Sequence, residues 1–276
     1  MEDAKPLGLK WKQGLLASHF GDKSRDSNVL FSISLFILRK IRPDYHWVAF
    51  LKESSGYNSI RKQHDVIEKL SALFRSELAD SFSSAHIALL ENADCILVGI
   101  NKANSEIVCF GSTKYSKKGS LSDIDVPHRV THGGLLVVAK EHARSMLGTL
   151  ISSVIALYGH TIHTIFEQEV TVLRINNKHL ERVMRRAGPV YRYDQLSPIQ
   201  IENDPEAKLA SSVIEWTHKH VFYLNEPLEL GKPLNIQHRF SPKVRMSGLG
   251  GNEITYAYRK SSLVYFVSMV LIRASS

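Results

Sequence analysis

The sequence predicts a mixed α/β (α+β) domain in which a central sheet is flanked by helices. Three observations predict it: short apolar runs alternate with amphipathic segments, two such runs are joined by an Asn-rich polar turn, and a third run leads directly into a helix-like pattern. The chain of 276 residues is 43% hydrophobic and 22% charged, a globular composition that can bury a sizeable core.

The first half of the chain contains an apolar start, a helix and a β-hairpin. The expected elements are an apolar segment at 28–42, a strand at 46–51 (HWVAFL), an amphipathic helix at 60–80, and strands at 95–100 (CILVGI) and 107–115 (IVCFGSTKY). Because the polar turn is centred near residues 102–103, Cys95 and Cys109 are expected to lie roughly opposite each other as two small buried thiols. Their spacing lacks the CxxC pattern of a redox pair.

The second half alternates strands, helices and loops. The expected elements are a loop at 116–133, a buried strand at 134–139, a helix at 143–159 capped by Gly159, a strand at 160–175, a basic helix at 178–188, a strand and turn at 189–198, a helix at 204–221, a loop at 227–253 and one or two strands at 252–272. A strand that enters a helix through a short loop can surround a phosphate with backbone N–H groups, so segment 137–150 (VVAKEHARSMLGTL) is a candidate phosphate-binding corner.

Composition also limits partners and compartment. The formal net charge of +8 favours an anionic partner: a nucleotide cofactor, an acidic carrier protein, nucleic acid or a membrane face. The N-terminus lacks a signal-peptide pattern, and the longest apolar runs are too short to span a bilayer. Two cysteines indicate a reducing compartment, so we expect a cytoplasmic protein without a membrane span. The oligomeric state is left open.

Several classes of site have no matching motif. The sequence contains no zinc pattern, Walker loop, GxSxG or dinucleotide fingerprint. His218, Lys219 and His220 lack Cys or carboxylate companions at ligand spacing, so no metal is expected.

Two segments carry a family resemblance. VVAKEHARSMLGTLI (137–151) and NNKHLERVMRRAG (176–188) resemble motifs of the GNAT superfamily of N-acyltransferases, and the resemblance covers roughly residues 90–195. In that family the fourth strand of a mixed, splayed sheet leads through a pyrophosphate loop, R/Q-x-x-G-x-G/A, into a helix. Gly148 takes the last glycine position, Met146 the first, and Ala143 the Arg/Gln position, with Arg144 one residue late.

The second motif concerns an Asn and a proton donor. Family members often carry an Asn followed eleven or twelve residues later by Gly-Phe, and Asn177 and Gly188 have that spacing, with Pro189 in place of the aromatic residue. The tyrosine that often protonates the departing thiolate corresponds to Met184 here.

The resemblance implies a domain plan and a donor site. Residues 1–89 are expected to supply N-terminal helices and the first strand, 90–200 the GNAT-like core, and 201–276 a C-terminal extension packed on the same domain. The donor is expected to be acyl-CoA or the phosphopantetheine of an acyl carrier protein. The implied donor-binding residues are Leu136, Val137, Val138, Ala139, Ala143, Arg144, Ser145, Met146, Leu147, Gly148, Thr149 and Asn177.

Candidate catalytic side chains follow from the same resemblance and from position. Glu141 and His142 sit at the end of the fourth strand, and Glu167 and Glu169 are in the following strand, where the family often places its base. Tyr191, with Tyr193, is nearest in sequence to the missing acid. Each also has an ordinary structural interpretation, as a solvated loop residue or a rim tyrosine.

The departures at Met146 and Ala143 leave three functions open. The first is an N-acyltransferase that transfers an acyl group from acyl-CoA or acyl carrier protein to an amine. The second, similar to acyl-homoserine-lactone synthases and N-acyl amino acid synthases, uses acyl carrier protein, whose acidic surface would suit Arg182, Arg185 and Arg186. The third is a catalytically silent module that binds nucleic acid or protein.

Overall fold

The computed structural model of the chain describes residues 29–52, 64–77, 89–116, 119, 121, 124–142, 145–160, 168–175, 184–185, 188–221, 227–235 and 253–262. The helices are α1 (Val29–Ile41), α2 (His64–Glu77), α3 (Leu147–Ala156), α4 (Pro198–Asn203) and α5 (Pro205–His220). The strands are β1 (Tyr45–Leu51), β2 (Cys95–Asn101), β3 (Ile107–Ser116), β4 (Arg129–Val138), β5 (Gln168–Ile175), β6 (Val190–Arg192), β7 (Leu234–Asn235) and β8 (Glu253–Ser262). Short 3-10 turns cover Lys140–His142 and Tyr193–Gln195.

These strands form one mixed sheet. Their order is β1-β2-β3-β4-β5-β8-β6, with β7 paired to β8. Strands β1 to β4 are antiparallel neighbours, β4 and β5 are parallel, and β8 is antiparallel to both β5 and β6. A parallel pair requires a crossover connection, and α3 lies in it. The predicted mixed sheet flanked by helices is therefore confirmed.

The parallel pair separates along its length. Pairing covers residues 129–132 of β4 and 169–172 of β5. Beyond it, β4 continues to pair with β3 on one side, whereas residues 133–138 have no partner strand on the β5 side within the described residues. The sheet is thus splayed, as predicted, and we call this opening the β4–β5 gap.

A β-bulge lies where the gap begins. Gly134 and Leu135 of β4 together face the single residue Ser112 of β3. The Ser112 hydroxyl accepts a hydrogen bond of 2.9 Å from the Leu135 N–H, which replaces the ladder bond that the extra residue disrupts. The bulge bends β4 at the point where it leaves β5.

Gly133 of β4 lies directly against a side chain of β5 at this point. A Cβ atom on residue 133 would lie 1.8 Å from the Leu173 Cδ2 atom of β5. A side chain at this position would displace Leu173, so glycine is required by close approach.

Helices cover both faces of the sheet. On one face the core contains residues of α2 and α5, including Leu70, Phe74, Val213 and Ile214. On the other face it contains residues of α1 and α3, including Phe31, Leu35, Ile151 and Val154. Burial of such side chains contributes about 1.5–3 kcal/mol each to folding. Among the described helices, none has the length and apolar character needed to cross a bilayer.

The structure corrects the expected loop at 116–133, because β4 begins at Arg129. Its first residues are polar yet buried, with Arg129 8% and His132 0% exposed. Their partners come from distant segments: Arg129 donates to the Tyr158 carbonyl oxygen, and the His132 ring bonds the Thr217 hydroxyl. Polar composition indicated a loop because these partners are not visible in the local sequence.

The expected pairing of the two cysteines is also wrong. Both are fully buried on neighbouring strands, as predicted, but Cys95 pairs with Thr113 and Cys109 with Gly99. The turn ends later than expected, where the Asn101 N–H bonds the Glu106 carbonyl oxygen, and a bulge follows Gly99. Burial raises the pKa of both thiols, that of Cys109 to about 12, so neither is a reactive thiolate at neutral pH.

Two remaining elements differ from the sequence expectation: the short strand β7 (Leu234–Asn235) lies in the expected loop at 227–253, and helix α4 (Pro198–Asn203) was not expected. The others agree where they are described. Helix α3 begins at Leu147 rather than 143, and Gly159 has a φ of 73°, which suits a glycine that closes a helix. Helix α5 and strand β8 match the predicted segments. Residues 161–167, most of 178–188 and residues 263–272 lie outside the described residues.

Candidate active site

The edge of β4 that faces the gap offers backbone groups that have no partner among the residues the structure describes. The Ala139 N–H bonds the Val108 carbonyl oxygen of β3 at 2.7 Å, and the Leu135 N–H bonds Ser112. Because backbone groups alternate in direction along a strand, those of Leu136 and Val138 point away from β3 into the gap. Four residues, 136–139, were predicted to bind the donor. Leu136 and Val138 direct their backbone groups into the gap, whereas Val137 and Ala139 direct theirs toward β3.

The β4 end leads through a short loop into α3. We call the described residues 139–142 and 145–146 the donor loop. It contains the 3-10 turn Lys140–His142, in which the His142 N–H donates to the Ala139 carbonyl oxygen. A second turn follows, where the Ser145 N–H and hydroxyl both donate to the His142 carbonyl oxygen. The N-cap residue Met146 makes no side-chain capping bond, and the Leu150 N–H donates to the Met146 carbonyl oxygen where the helix begins. The preceding N–H groups and the helix dipole therefore favour an anion here.

Met146 occupies a backbone conformation that favours glycine. Its φ is 61°, in the left-handed region, and it immediately precedes α3. Among the described residues other than glycine, Ser105 in the β2–β3 turn also has a positive φ, of 59°. The Met146 side chain is 42% exposed beside the helix N-terminus. The fold would accept glycine at residue 146 more readily than methionine.

Gly148, in contrast to residue 146, is a glycine at a position where the backbone and the packing would accept a side chain. Its φ is not in the left-handed region, and a Cβ atom would have its nearest neighbours at 3.6 Å (Val138 Cγ2) and 3.8 Å (Leu136 Cδ2). Both are ordinary van der Waals distances, so packing of the fold does not require glycine here. The absence of a side chain instead leaves space between the first turn of α3 and the end of β4. Leu147 is buried and Thr149 is exposed in the same turn.

Sequence analysis missed two residues that hold the donor loop. Arg42, between α1 and β1, donates a 2.9 Å hydrogen bond to the Ser145 carbonyl oxygen. Tyr45, at the start of β1, shares a 2.8 Å hydrogen bond with His142 Nδ1. Both contacts join residues about a hundred positions apart, so no local motif could have indicated them.

The structure directs the predicted catalytic residue His142 away from the gap. Strand β1 lies on the opposite side of β4 from β5, so the bond to Tyr45 turns the imidazole toward β1. Glu141, beside it on the 3-10 turn, is exposed to solvent.

Glu169 lies at the closed end of the parallel pair. It is 2% exposed, and its Oε2 atom lies 2.7 Å from His160 Nε2. Two buried arginines are nearby: Arg129 is opposite it in β4, and Arg259 of β8 donates to Thr171. Burial alone would raise the pKa of Glu169, but the His160 hydrogen bond and the positive charge of Arg129 together lower it. We call Arg129, His160, Glu169 and Arg259 the buried charge cluster.

Tyr191 lies in β6, and Met184 packs against Val190 of the same strand. Tyr191 is half-buried and donates a 3.2 Å hydrogen bond to Asp204, and burial followed by this bond raises its pKa. Met184 is 2% exposed and packs with Leu173 and Val190. Four other predicted site residues lie outside the described residues: Ala143, Arg144, Glu167 and Asn177.

A buried histidine lies on the other face of β4, next to the bulge. His132 bonds Thr217 at 3.0 Å and Ser116 at 3.3 Å. It lines, with Ser112 and Gly134, a cavity of about 10 Å³, which is room for one water molecule. Desolvation, and secondarily the Lys114 charge, lower the pKa of His132 to about 3, so it is neutral at physiological pH. Within the described residues, no group of three or more His, Cys, Asp or Glu side chains could hold a metal ion.

Comparisons with known proteins give structural similarities. No family model and no curated protein sequence matches the chain. Among solved structures, Arabidopsis thaliana NAA60 in complex with a bisubstrate analogue is 9% identical with a TM-score of 0.39, covering 78% of this chain and 95% of that one. The Drosophila melanogaster polyamine N-acetyltransferase is 10% identical with a TM-score of 0.38, covering 77% and 99%. A mosquito arylalkylamine N-acetyltransferase-like protein is 8% identical with a TM-score of 0.36, covering 78% and 100%.

Proposed function

We propose, from the splayed mixed sheet and the resemblance of segment 137–151 to the GNAT motif, that the chain is an N-acyltransferase whose thioester donor, acyl-CoA, binds in the β4–β5 gap. One observation carries the proposal: the open edge of β4 leads directly to an uncapped helix N-terminus. Amide groups of a pantetheine arm can pair with the backbone of Leu136 and Val138, as an added strand would. The phosphates at the other end of the donor would then lie against the first turn of α3.

The reaction requires few protein groups. The acceptor amine attacks the thioester carbonyl, an amide C–N bond forms, the C–S bond breaks, and the proton lost by the nitrogen returns to the thiolate. Holding the two reactants together supplies much of such a rate enhancement. Met184 has no proton to donate, so this proton reaches the sulfur without a side chain at that position.

Gly148 gives the sharpest test of donor binding. We expect Gly148→Ala to leave stability unchanged or raise it by up to about 1 kcal/mol, because alanine is the better helix former and its Cβ fits. The same methyl group would obstruct the donor at the helix N-terminus. Wild-type protein should therefore gain melting temperature with CoA or acetyl-CoA, and the variant should gain less at equal ligand concentration.

The matched control is Ser152→Ala, which adds no atoms and lies on the same helix. It should keep the wild-type ligand response. The proposal fails if acyl-CoA donors of several chain lengths leave the wild-type melting temperature unchanged.

The side chain of residue 146 bears on whether the donor is acyl-CoA or an acyl carrier protein. An acyl carrier protein presents one phosphodiester rather than a nucleotide diphosphate, so a side chain at residue 146 would hinder it less than CoA. We expect Met146→Gly to bind CoA more tightly than wild type, and to gain about 1 kcal/mol of stability from relief of the left-handed conformation. Isothermal titration with CoA and urea unfolding would measure the two effects.

Ser105→Gly is the control for the backbone effect, because Ser105 has nearly the same φ in the β2–β3 turn, which is not part of the donor loop. It should raise stability without changing CoA affinity. Equal CoA affinity of Met146→Gly and wild type would contradict the role assigned to the methionine side chain.

A further inference from the structure

Arg42 connects three parts of the structure. Its guanidinium group forms two hydrogen bonds to Asp44, at 3.3 and 3.0 Å, and lies 4.6 Å from the centre of the Tyr45 ring. Its remaining terminal nitrogen donates to the Ser145 carbonyl oxygen at 2.9 Å. The backbone of Arg42 is also held in place, because the Trp47 indole N–H donates to the Arg42 carbonyl oxygen at 3.2 Å. The arginine is therefore oriented before it reaches the loop.

Tyr45 makes the second contact. Its ring is 5% exposed and packs edge-on against His142, with ring centres 5.7 Å apart. The hydroxyl group shares a hydrogen bond with His142 Nδ1, which lies at the start of the turn that Ser145 closes. Tyr45 at the start of β1 and Arg42 just before it thus hold the donor loop at the two ends of the turn from His142 to Ser145.

We infer that Arg42 and Tyr45 are positioning residues that hold the donor loop in the conformation from which α3 presents its free N–H groups. The assignment of a donor to this loop rests on the proposed function. The loop has two features that oppose this conformation: a methionine with positive φ and a helix start without a side-chain cap. Contacts from outside the loop compensate for both.

The charge of Arg42 also has a local partner. Asp44 forms a bidentate pair with it and is itself more than half exposed, and the Arg42 hydrogen bond is the main cause that lowers the pKa of Asp44. The guanidinium group, held by two hydrogen bonds to Asp44, has a third nitrogen placed to donate to the Ser145 carbonyl oxygen. A lysine ammonium group lacks this planar arrangement of donors.

The experiment compares Arg42→Met, Arg42→Lys and Tyr45→Phe with wild type by amide hydrogen exchange and by titration with CoA. The Ser145 and Leu150 amides, whose backbone bonds close the turn and start the helix, should exchange several-fold faster in all three variants. Loss of one hydrogen bond should weaken CoA binding about three- to tenfold. His142→Asn, which keeps a hydrogen-bonding group near the Nδ1 position, should retain more CoA affinity than His142→Leu.

Arg39→Met is the matched control. Arg39 lies one helical turn earlier, and it donates a hydrogen bond to the Trp47 carbonyl oxygen, which is outside the donor loop. It should leave Ser145 and Leu150 exchange unchanged. Unchanged exchange of these two amides in Arg42→Met and Tyr45→Phe would overturn the inference, whether or not CoA binds. Failure of CoA to bind wild type, with faster exchange in the variants, would instead overturn the proposed function alone.

Discussion

Glu169→Gln is expected to destabilise the protein by about 3–5 kcal/mol, the largest effect of a single substitution that we expect here. The wild-type carboxylate is fully buried, bonds His160 and faces the positive charge of Arg129. A neutral amide would leave Arg129 and Arg259 in the interior with no carboxylate among the described members of the cluster. Urea unfolding at pH 7 would measure the change.

Two variants make this result specific. Glu202→Gln replaces an exposed carboxylate on α4 and should change stability by less than about 0.5 kcal/mol. Arg129→Met combined with Glu169→Gln should be less destabilised than the sum of the single variants, because one buried charge is then removed. Unchanged stability of Glu169→Gln would show that the cluster does not depend on this charge.

The same variant separates two roles of Glu169. Sequence analysis predicts it as a candidate base, whereas its position at the closed end of β4 and β5 gives it a structural role. If the carboxylate has only a structural role, Glu169→Gln lowers the melting temperature but leaves kcat of the folded enzyme near the wild-type value. If Glu169 is the catalytic base, Glu169→Gln lowers kcat even at temperatures well below the unfolding transition.

Stability is expected to fall steeply below pH 6.5, with His132 as a main cause. The folded protein holds this histidine neutral, with a pKa of about 3, whereas the unfolded chain has the ordinary value of 6.5. Between these values the unfolded state binds a proton that the folded state does not. The free energy of unfolding therefore decreases as pH falls, by about 1.4 kcal/mol per pH unit from this group.

His132→Gln should flatten this part of the profile. Its free energy of unfolding is lower at pH 7, since the bonds to Thr217 and Ser116 are altered, but the difference from wild type should shrink as pH falls from 6.5 to 4. His46→Asn, at an exposed position of β1, should run parallel to wild type. A His132→Gln profile that also stays parallel to wild type would refute the assignment.

Local patterns were sufficient to predict the elements that are continuous apolar runs or that have the periodicity of a helix. Helix α5 and strands β1 to β3 match their predicted segments closely, because their residues are buried in the order that the pattern indicates. The start of β4 was missed for the converse reason. Arg129 and His132 are buried with partners from other segments, which local polarity cannot show.

The candidate site divides in the same way. Gly148 and the strand–loop–helix order were recognisable from 137–151 because they are contiguous. Arg42 and Tyr45 were not, since they contact the donor loop from about a hundred residues away. The functions of the predicted side chains Glu141, His142, Glu169 and Tyr191 stay predictions until activity is measured.

Local sequence patterns were enough to predict a mixed sheet, a buried hairpin and a corner at 137–150 where a strand enters a helix. Periodicity and composition suffice for these features, because each depends on residues close together in the chain. Only the tertiary structure decided that β8 lies between β5 and β6, that β4 and β5 separate after residues 132 and 172, and that Glu169 is held among buried charges. These features depend on pairings between distant segments, whose register is set by packing of the whole sheet rather than by any local pattern.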